Sequence, residues 1–237
     1  MPLNLKSFGG ATVVVALVGG VMLLLTGPFY RLGLWSLQTA FTILTAGLIV
    51  SILAFVLAAA ALWHSGGRSA FAILALIIAV VAIAVPMRLF YMARSSPPIH
   101  DISTDTANPP TFEAIVPLRK DAPNSLEYKQ DVAAKQRQGY PDIKPLIVEM
   151  PAAQVYDRAS RAANEAGWEV VSSSADTWRI EATDTTPFFG FKDDIVVRLT
   201  PIGNRTVVDV RSVSRVGVSD IGTNARRVRD YLAALSR

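Results

Sequence analysis

The sequence predicts an α+β protein, in which an N-terminal region of three transmembrane helices precedes an antiparallel sheet packed by helices on one face. Three observations predict it. Three long apolar runs fill the first 96 residues, period-two segments recur between residues 168 and 215, and amphipathic helices stand before and after those segments. The boundary is set by charge as much as by hydropathy. Lys6, Arg31, Arg68, Arg88 and Arg94 are the only ionised side chains among residues 1–96, whereas all 19 acidic residues and the other basic ones lie beyond Ser96. The predicted domains are therefore a membrane region, 1–96, and a soluble α+β domain, 97–237.

A hydrocarbon core about 30 Å thick needs about 20 helical residues to cross it. The runs Phe8–Thr26, Ala40–Trp63 and Ala70–Met87 meet that length and contain no Asp, Glu, Lys or Arg, which argues against a proton relay or ion path. The first run reads as a retained helix and not as a cleaved leader, because no convincing small-x-small site precedes Pro28 and two more runs follow. Tyr30, Arg31, Trp35, Trp63, His64, Arg88 and Tyr91 sit at the ends of the runs, where aromatic and basic residues favour the interface. Gly19, Gly20, Gly47 and Ser51 are small enough to let helices approach closely. Three spans place the soluble domain on the side opposite the N-terminus. The positive-inside rule is close to balanced, with the N-terminus, Lys6 and Arg68 on one side and Arg31, Arg88 and Arg94 on the other.

The whole chain carries a formal charge of +4, but the soluble part is close to neutral. This excludes a basic nucleic-acid surface, since a patch that grips phosphates has to lie on that domain. The absence of cysteine removes disulfides, thiolate metal sites, cysteine nucleophiles and an N-terminal lipidated Cys.

Beyond Ser96 the prolines at 97, 98, 109, 110 and 117 predict extended chain wrapped on the domain, with Phe112 and Ile115 apolar enough to be buried. A short helix is expected over Ser125–Gln138 and a strand over Lys144–Met150. A helix follows from Pro151 to Gly167, with Val155, Ala159 and Ala162 on its inner face. Strands are expected at Trp168–Ser173, Thr177–Thr183, Phe191–Thr200 and Thr206–Arg215, joined by short turns that favour antiparallel neighbours. A last helix near Thr223–Ser236 carries the stripe Ala225, Val228, Leu232 and Leu235. Alternation puts Trp168, Val170, Trp178, Ile180, Val208 and Val210 toward the helices. It puts Arg179, Glu181, Asp209, Arg211 and Arg215 on the other face, read as a solvated surface or the floor of a groove.

The unusual chemistry gathers in Arg211–Arg227, a strand leading through a glycine-bracketed turn into the last helix. Guanidinium groups beside free amides at a helix N-terminus suit a small anion or lipid headgroup, with Arg211, Arg215, Ser219, Asp220, Asn224 and Arg227 as candidate ligand-binding residues. The competing reading is structural. Ser219, Asp220 or Thr223 caps the helix, Gly217 and Gly222 supply unusual backbone angles, and the arginines pair with Asp209, Asp193 or Asp194. Gly217–Gly222 has the spacing of a phosphate loop, but Thr223 stands where that loop needs lysine. Asp193 and Asp194 are adjacent in a strand and point to opposite faces, one expected to pair with an arginine and the other to meet solvent. His100 with Asp101 and Asp105 is too thin a basis for a metal, and no cofactor is expected. Ser212 and Ser214 read as buried, and the two histidines, at 64 and 100, leave a serine nucleophile without a placed base.

Arg211, Ser212, Ser214, Arg215, Gly217, Ser219, Asp220, Gly222, Asn224 and Arg227 follow the pattern RSxSRxG, then SDxGxN, then a basic helix, and in this the sequence resembles the domain of unknown function 1499 family of bacteria and plastids. Asp193, Asp194 and Arg198 of DDIVVRL, with Asp101, Ser103, Asp105, Pro109, Pro110 and Phe112 of the entry segment, resemble that family's other landmarks. The resemblance covers roughly Ile99 to Leu235. It implies no activity. Export signals on many members imply a periplasmic domain, although this chain differs in its multi-span anchor and lack of cysteine.

The expected function is that of a multi-pass bacterial inner-membrane protein whose periplasmic domain is a binding or envelope-associated module. Its partners are the lipid bilayer and a small anion or lipid headgroup, and no nucleic acid. Two other classes compete with it: a carboxylate-dependent hydrolase or transferase acting on an anionic substrate through Asp193, Asp194 or Asp220, and a structural partner of another membrane protein.

Overall fold

The computed structural model describes residues 5–236; residues 1–4 and 237, which fall inside the predicted regions 1–96 and 97–237, lie outside the described residues. The chain forms two compact units, Met1–Tyr91 with Pro187–Gly190, and Met92–Thr186 with Phe191–Arg237.

The first unit holds α1 (Leu5–Arg31), α2 (Leu37–His64) and most of α3 (Ala70–Ser95), each long and apolar enough to cross a membrane. α1 and α3 run further than the apolar runs, and each contains a proline, Pro28 just beyond the first run and Pro86 within the third. A proline removes one backbone donor, but ending a helix inside lipid leaves several groups unpaired, so continuation costs less. α1 and α2 approach closely where small residues allow it. A Cβ added to Gly19 would stand 2.5 Å from Ser51 Oγ and 3.2 Å from the Gly47 carbonyl, whereas one on Gly20 would meet open space. The expected close-approach set thus reduces to Gly19, Gly47 and Ser51. Ala16, Ala54, Ala58, Ala75 and Ala79 form a buried cluster that brings α3 into the bundle.

The second unit contains β1 (Asp101–Ser103), a 3₁₀ turn (Val116–Arg119), α4 (Gln130–Gly139), β2 (Leu146–Val148) and α5 (Ala152–Glu165). β3 (Glu169–Ser174), β4 (Arg179–Thr185), β5 (Lys192–Ile202), β6 (Arg205–Ser214) and α6 (Thr223–Leu235) complete it. All strand pairs are antiparallel. β3 to β6 form a meander, and the far edge of β6 takes both short strands, β1 opposite Arg211–Val213 and β2 opposite Thr206–Val208. The predicted helix over Ser125–Gln138 starts only at Gln130, because Ser125 Oγ accepts the Glu127 amide and Lys129 is extended.

On one face of the sheet, Ile180, Ile195, Val197, Val208 and Val210 pack against Val155 and Ala159 of α5 and Ala225, Val228 and Leu235 of α6. Each large side chain fully buried there contributes about 1.5–3 kcal/mol. Trp168 stacks on Tyr231 with ring centroids 4.7 Å apart, and Trp178 and Val170 lie at the margin of this core.

The opposite face is covered, neither solvated nor the floor of a groove. Residues 104–129 cross it, and Phe112 and Ile115 form a second apolar cluster with Val196 and Val213. Of the charged side chains predicted for this face, Glu181, Asp209 and Arg211 are consequently buried, and Arg179 and Arg215 are half-buried. Glu181 accepts the backbone amides of Glu113 at 2.8 Å and Ile115 at 2.9 Å, which fastens the covering segment to β4. Arg179 adds a bond to the Thr111 carbonyl, and Arg198 bridges Asp105 and Asp209.

Candidate functional site

The candidate residues lie where β6 passes through residues 215–222 into α6. Backbone geometry explains the turn's composition: Gly217 (φ +97°), Ile221 (φ +50°) and Gly222 (φ +81°) all occupy the left-handed region. Ile221 is β-branched and strained there, so its surroundings must hold it. Asp220 supplies the hold. Its Oδ1 accepts the Gly222 amide at 3.0 Å and its Oδ2 the Asn224 amide at 2.5 Å, while Ser219 Oγ accepts the Ile221 amide. Asp220 thereby satisfies amides at the start of α6 that an anion would otherwise take. Burial pushes the Asp220 carboxyl up, and Asp193 nearby adds to this; the two amides oppose both without reversing them.

The alternation of β6 divides the arginines between two layers. On the covered face, Arg211 makes a two-pronged pair with Asp101, Nε to Oδ1 at 3.0 Å and Nη2 to Oδ2 at 2.7 Å. It also donates to the carbonyls of Pro110 and Leu126, between the rings of Phe112 and Tyr128. Arg215 grips Asp194 in the same manner, at 2.9 and 2.8 Å. Arg119 of the 3₁₀ turn reaches Asp194 Oδ2 at 2.5 Å, and Thr183 Oγ1 donates to Oδ1 at 2.7 Å. Burial raises the Asp194 pKa, yet the hydrogen bonds from Arg215, Thr183 and Arg119 outweigh it and the carboxyl rests below its ordinary value.

On the helix face, Arg227 reaches back from α6. It donates to Asp184 through Nε and Nη2, to Asp193 at 2.7 Å, and to Ser212 Oγ and Asn224 Oδ1. Asn224 closes the corner, accepting from Ser212 Oγ and donating to Ser214 Oγ and the His100 carbonyl. Asp193 and Asp194 do point to opposite faces, but neither meets solvent, since each is buried and holds an arginine. The expected partners of Arg211 need the same correction. It pairs with Asp101, across the β1–β6 ladder, and not with Asp209, Asp193 or Asp194.

The predicted residues are thus divided by the sheet. Arg211 and Arg215 lie in the covered layer; Asn224 and Arg227 lie in the helix layer, and Ser219 and Asp220 belong to the turn between. Of the six, Arg227 borders the cleft between α5 and α6. This cleft, about 500 Å³, is lined by Ala162, Ala166, Trp168, Tyr231 and Ala234 and by the polar residues Thr223, Arg226, Arg227, Asp184, Glu165 and Asp230. Arg226 is exposed and, among the described residues, makes no ion pair. Sequence reasoning missed Arg226, Asp184 and Arg119; the first two lay close to expected features, since Arg226 falls one residue from a predicted ligand and Asp184 directly follows the strand predicted over Thr177–Thr183, which the structure extends to Thr185.

Helices able to cross a membrane, followed by an antiparallel sheet between a helix layer and a covering segment, fit a membrane-anchored α+β module. The model of a family described as a protein of unknown function, DUF1499, matches residues 101–235, more than half of the sequence, and the chain belongs to that family. No curated protein matches it.

Proposed function

We propose that the protein is a membrane-anchored binding module of the bacterial inner membrane, with its α+β domain in the periplasm, that takes a small anion or lipid headgroup in the cleft between α5 and α6. The observation that carries this reading is Arg226, an arginine without an ion pair beside the Thr223 hydroxyl and the first turn of α6. Arg227 contributes position more than charge, because Asp184 and Asp193 already neutralise it. The alanine and aromatic walls suit a ligand with a charged head and an apolar body. Arg211 and Arg215 serve this function indirectly, by holding the covering segment and β6 in register.

The test is thermal unfolding of the full chain in phosphatidylcholine nanodiscs, titrated with inorganic phosphate and with glycerol 3-phosphate. A ligand at 100 times its Kd stabilises by about 2.7 kcal/mol. The midpoint is expected to rise for the native chain and not for Arg226→Ala, which has no internal bond to lose. A native chain indifferent to both anions, or an Arg226→Ala variant that responds fully, would overturn the proposal.

A further inference from the structure

The loop 215–219 and the 3₁₀ turn it touches carry exposed apolar side chains that the cleft does not use. Val218 is 79% exposed, and Val116 and Leu118 are each about half exposed. The two segments form one surface. Asn124 donates to the carbonyls of Ser214 and Gly217, the Asn124 amide donates to the Arg215 carbonyl, and Arg215 Nη1 donates to the Leu118 carbonyl. Lys120 follows the turn and Lys192 accepts the Arg215 amide through its carbonyl, so two exposed lysines border this surface, with the acidic Asp121 beside Lys120 and Glu169 within electrostatic reach of Arg215.

The chain arriving from α3 enters the domain at this corner. Met92–Ser95 belong to the same compact unit as the sheet. Ser96 and Tyr140 abut Gly222, the Ile99 carbonyl accepts the Asp220 amide, and His100 Nδ1 lies 3.3 Å from the Val218 carbonyl. The length of α3 sets the depth of that entry. Its 26 residues span about 39 Å at 1.5 Å per residue. That exceeds a hydrocarbon core of about 30 Å but not the roughly 40–45 Å that includes the headgroups. A helix that begins at the outer edge of one headgroup layer therefore delivers Ser96 within the opposite headgroup layer.

We infer that Val116, Leu118 and Val218 insert into the interfacial layer of the membrane that α3 crosses, with Lys120 and Lys192 meeting lipid phosphates. The occupant of this apolar surface is the lipid leaflet itself, fixed by the continuity of the span with the segment that enters the domain here. The inference rests on the membrane-anchored reading but not on the anion cleft.

The absence of cysteine permits a direct test. Val218→Cys and, as control, Ile202→Cys are labelled with an environment-sensitive fluorophore in the full chain, in nanodiscs containing lipids with spin-labelled acyl chains. Ile202 is exposed at the β5–β6 turn, at the other end of an eleven-residue strand from Lys192. Quenching several-fold stronger at 218 than at 202, increased by phosphatidylglycerol and decreased by Lys120→Glu with Lys192→Glu, is the expected result. Equal quenching at the two positions would overturn the inference. Adding Arg226→Ala separates the two proposals, because this quenching should persist when the response to phosphate is lost.

Discussion

Asp194 shows how much of the family signature serves internal order. Its side chain is inaccessible and receives Arg119, Arg215 and Thr183 at once. Burial of such a pair is weak evidence for net stabilisation, since desolvation offsets the attraction, but removing one partner leaves charge stranded. Asp194→Asn is expected to cost about 3–5 kcal/mol, read from chemical denaturation, because two arginines then face a neutral amide. The pH dependence has a defined sign. The folded pKa of Asp194 lies below its unfolded value, so its contribution is present above the unfolded pKa and is lost as pH falls through the folded one. The native domain should lose stability on acidification more steeply than Asp194→Asn, and parallel profiles would refute the assignment. Asp220 acts oppositely, its raised pKa making ionisation a cost as pH rises through the folded value.

Among the elements, the covering segment is the one whose position explains the buried charges. It has no ladder of its own and is held by two apolar anchors and by the Glu181 carboxylate. Ile115 is fully buried, so Ile115→Ala should cost about 2–5 kcal/mol. If the segment is a separate layer, that variant should also become cleavable by trypsin at Lys120 before the sheet unfolds; loss of both together would show one cooperative unit. This layer was only partly legible in the sequence. Phe112 and Ile115 marked it as buried, but a proline-rich stretch has no period from which a face can be assigned. The long strands were legible because alternation over six or more residues repeats the same information. β1 and β2 were harder, for three residues carry almost no alternation, and nothing local says that both lie on β6. The pairing of Arg211 with Asp101, 110 residues away, follows only from that edge. The corner at Asp220 and Gly222 was readable from turn chemistry alone, whereas the cleft depends on how α5 and α6 pack, which their separate stripes do not determine.

At the scale of the whole molecule, the three helices long and apolar enough to cross a membrane, taken as three crossings in the proposed membrane-anchored reading, would put the start of α1 and the α+β domain on opposite sides. Which side is which rests on a narrow margin, since the N-terminal amine, Lys6 and Arg68 of the α2–α3 turn oppose Arg31, Arg88 and Arg94. The proposed periplasmic domain requires Lys6 and Arg68 to remain in the cytoplasm. Alkaline phosphatase fused after Arg237 should therefore be active, and a fluorescent protein that folds only in the cytoplasm should stay dark at the same junction. The reverse pattern would move the domain to the cytoplasm while leaving the anion cleft and the interfacial loop testable as they stand. The margin itself is measurable. Because a short loop is sensitive to single charges, Arg68→Ala together with Lys6→Ala should produce a mixed population of orientations, seen as partial phosphatase activity. Ser65→Lys, which adds a charge to the same turn, should restore a single one. An orientation insensitive to all three substitutions would mean that the folded domain, and not the basic residues, decides the topology.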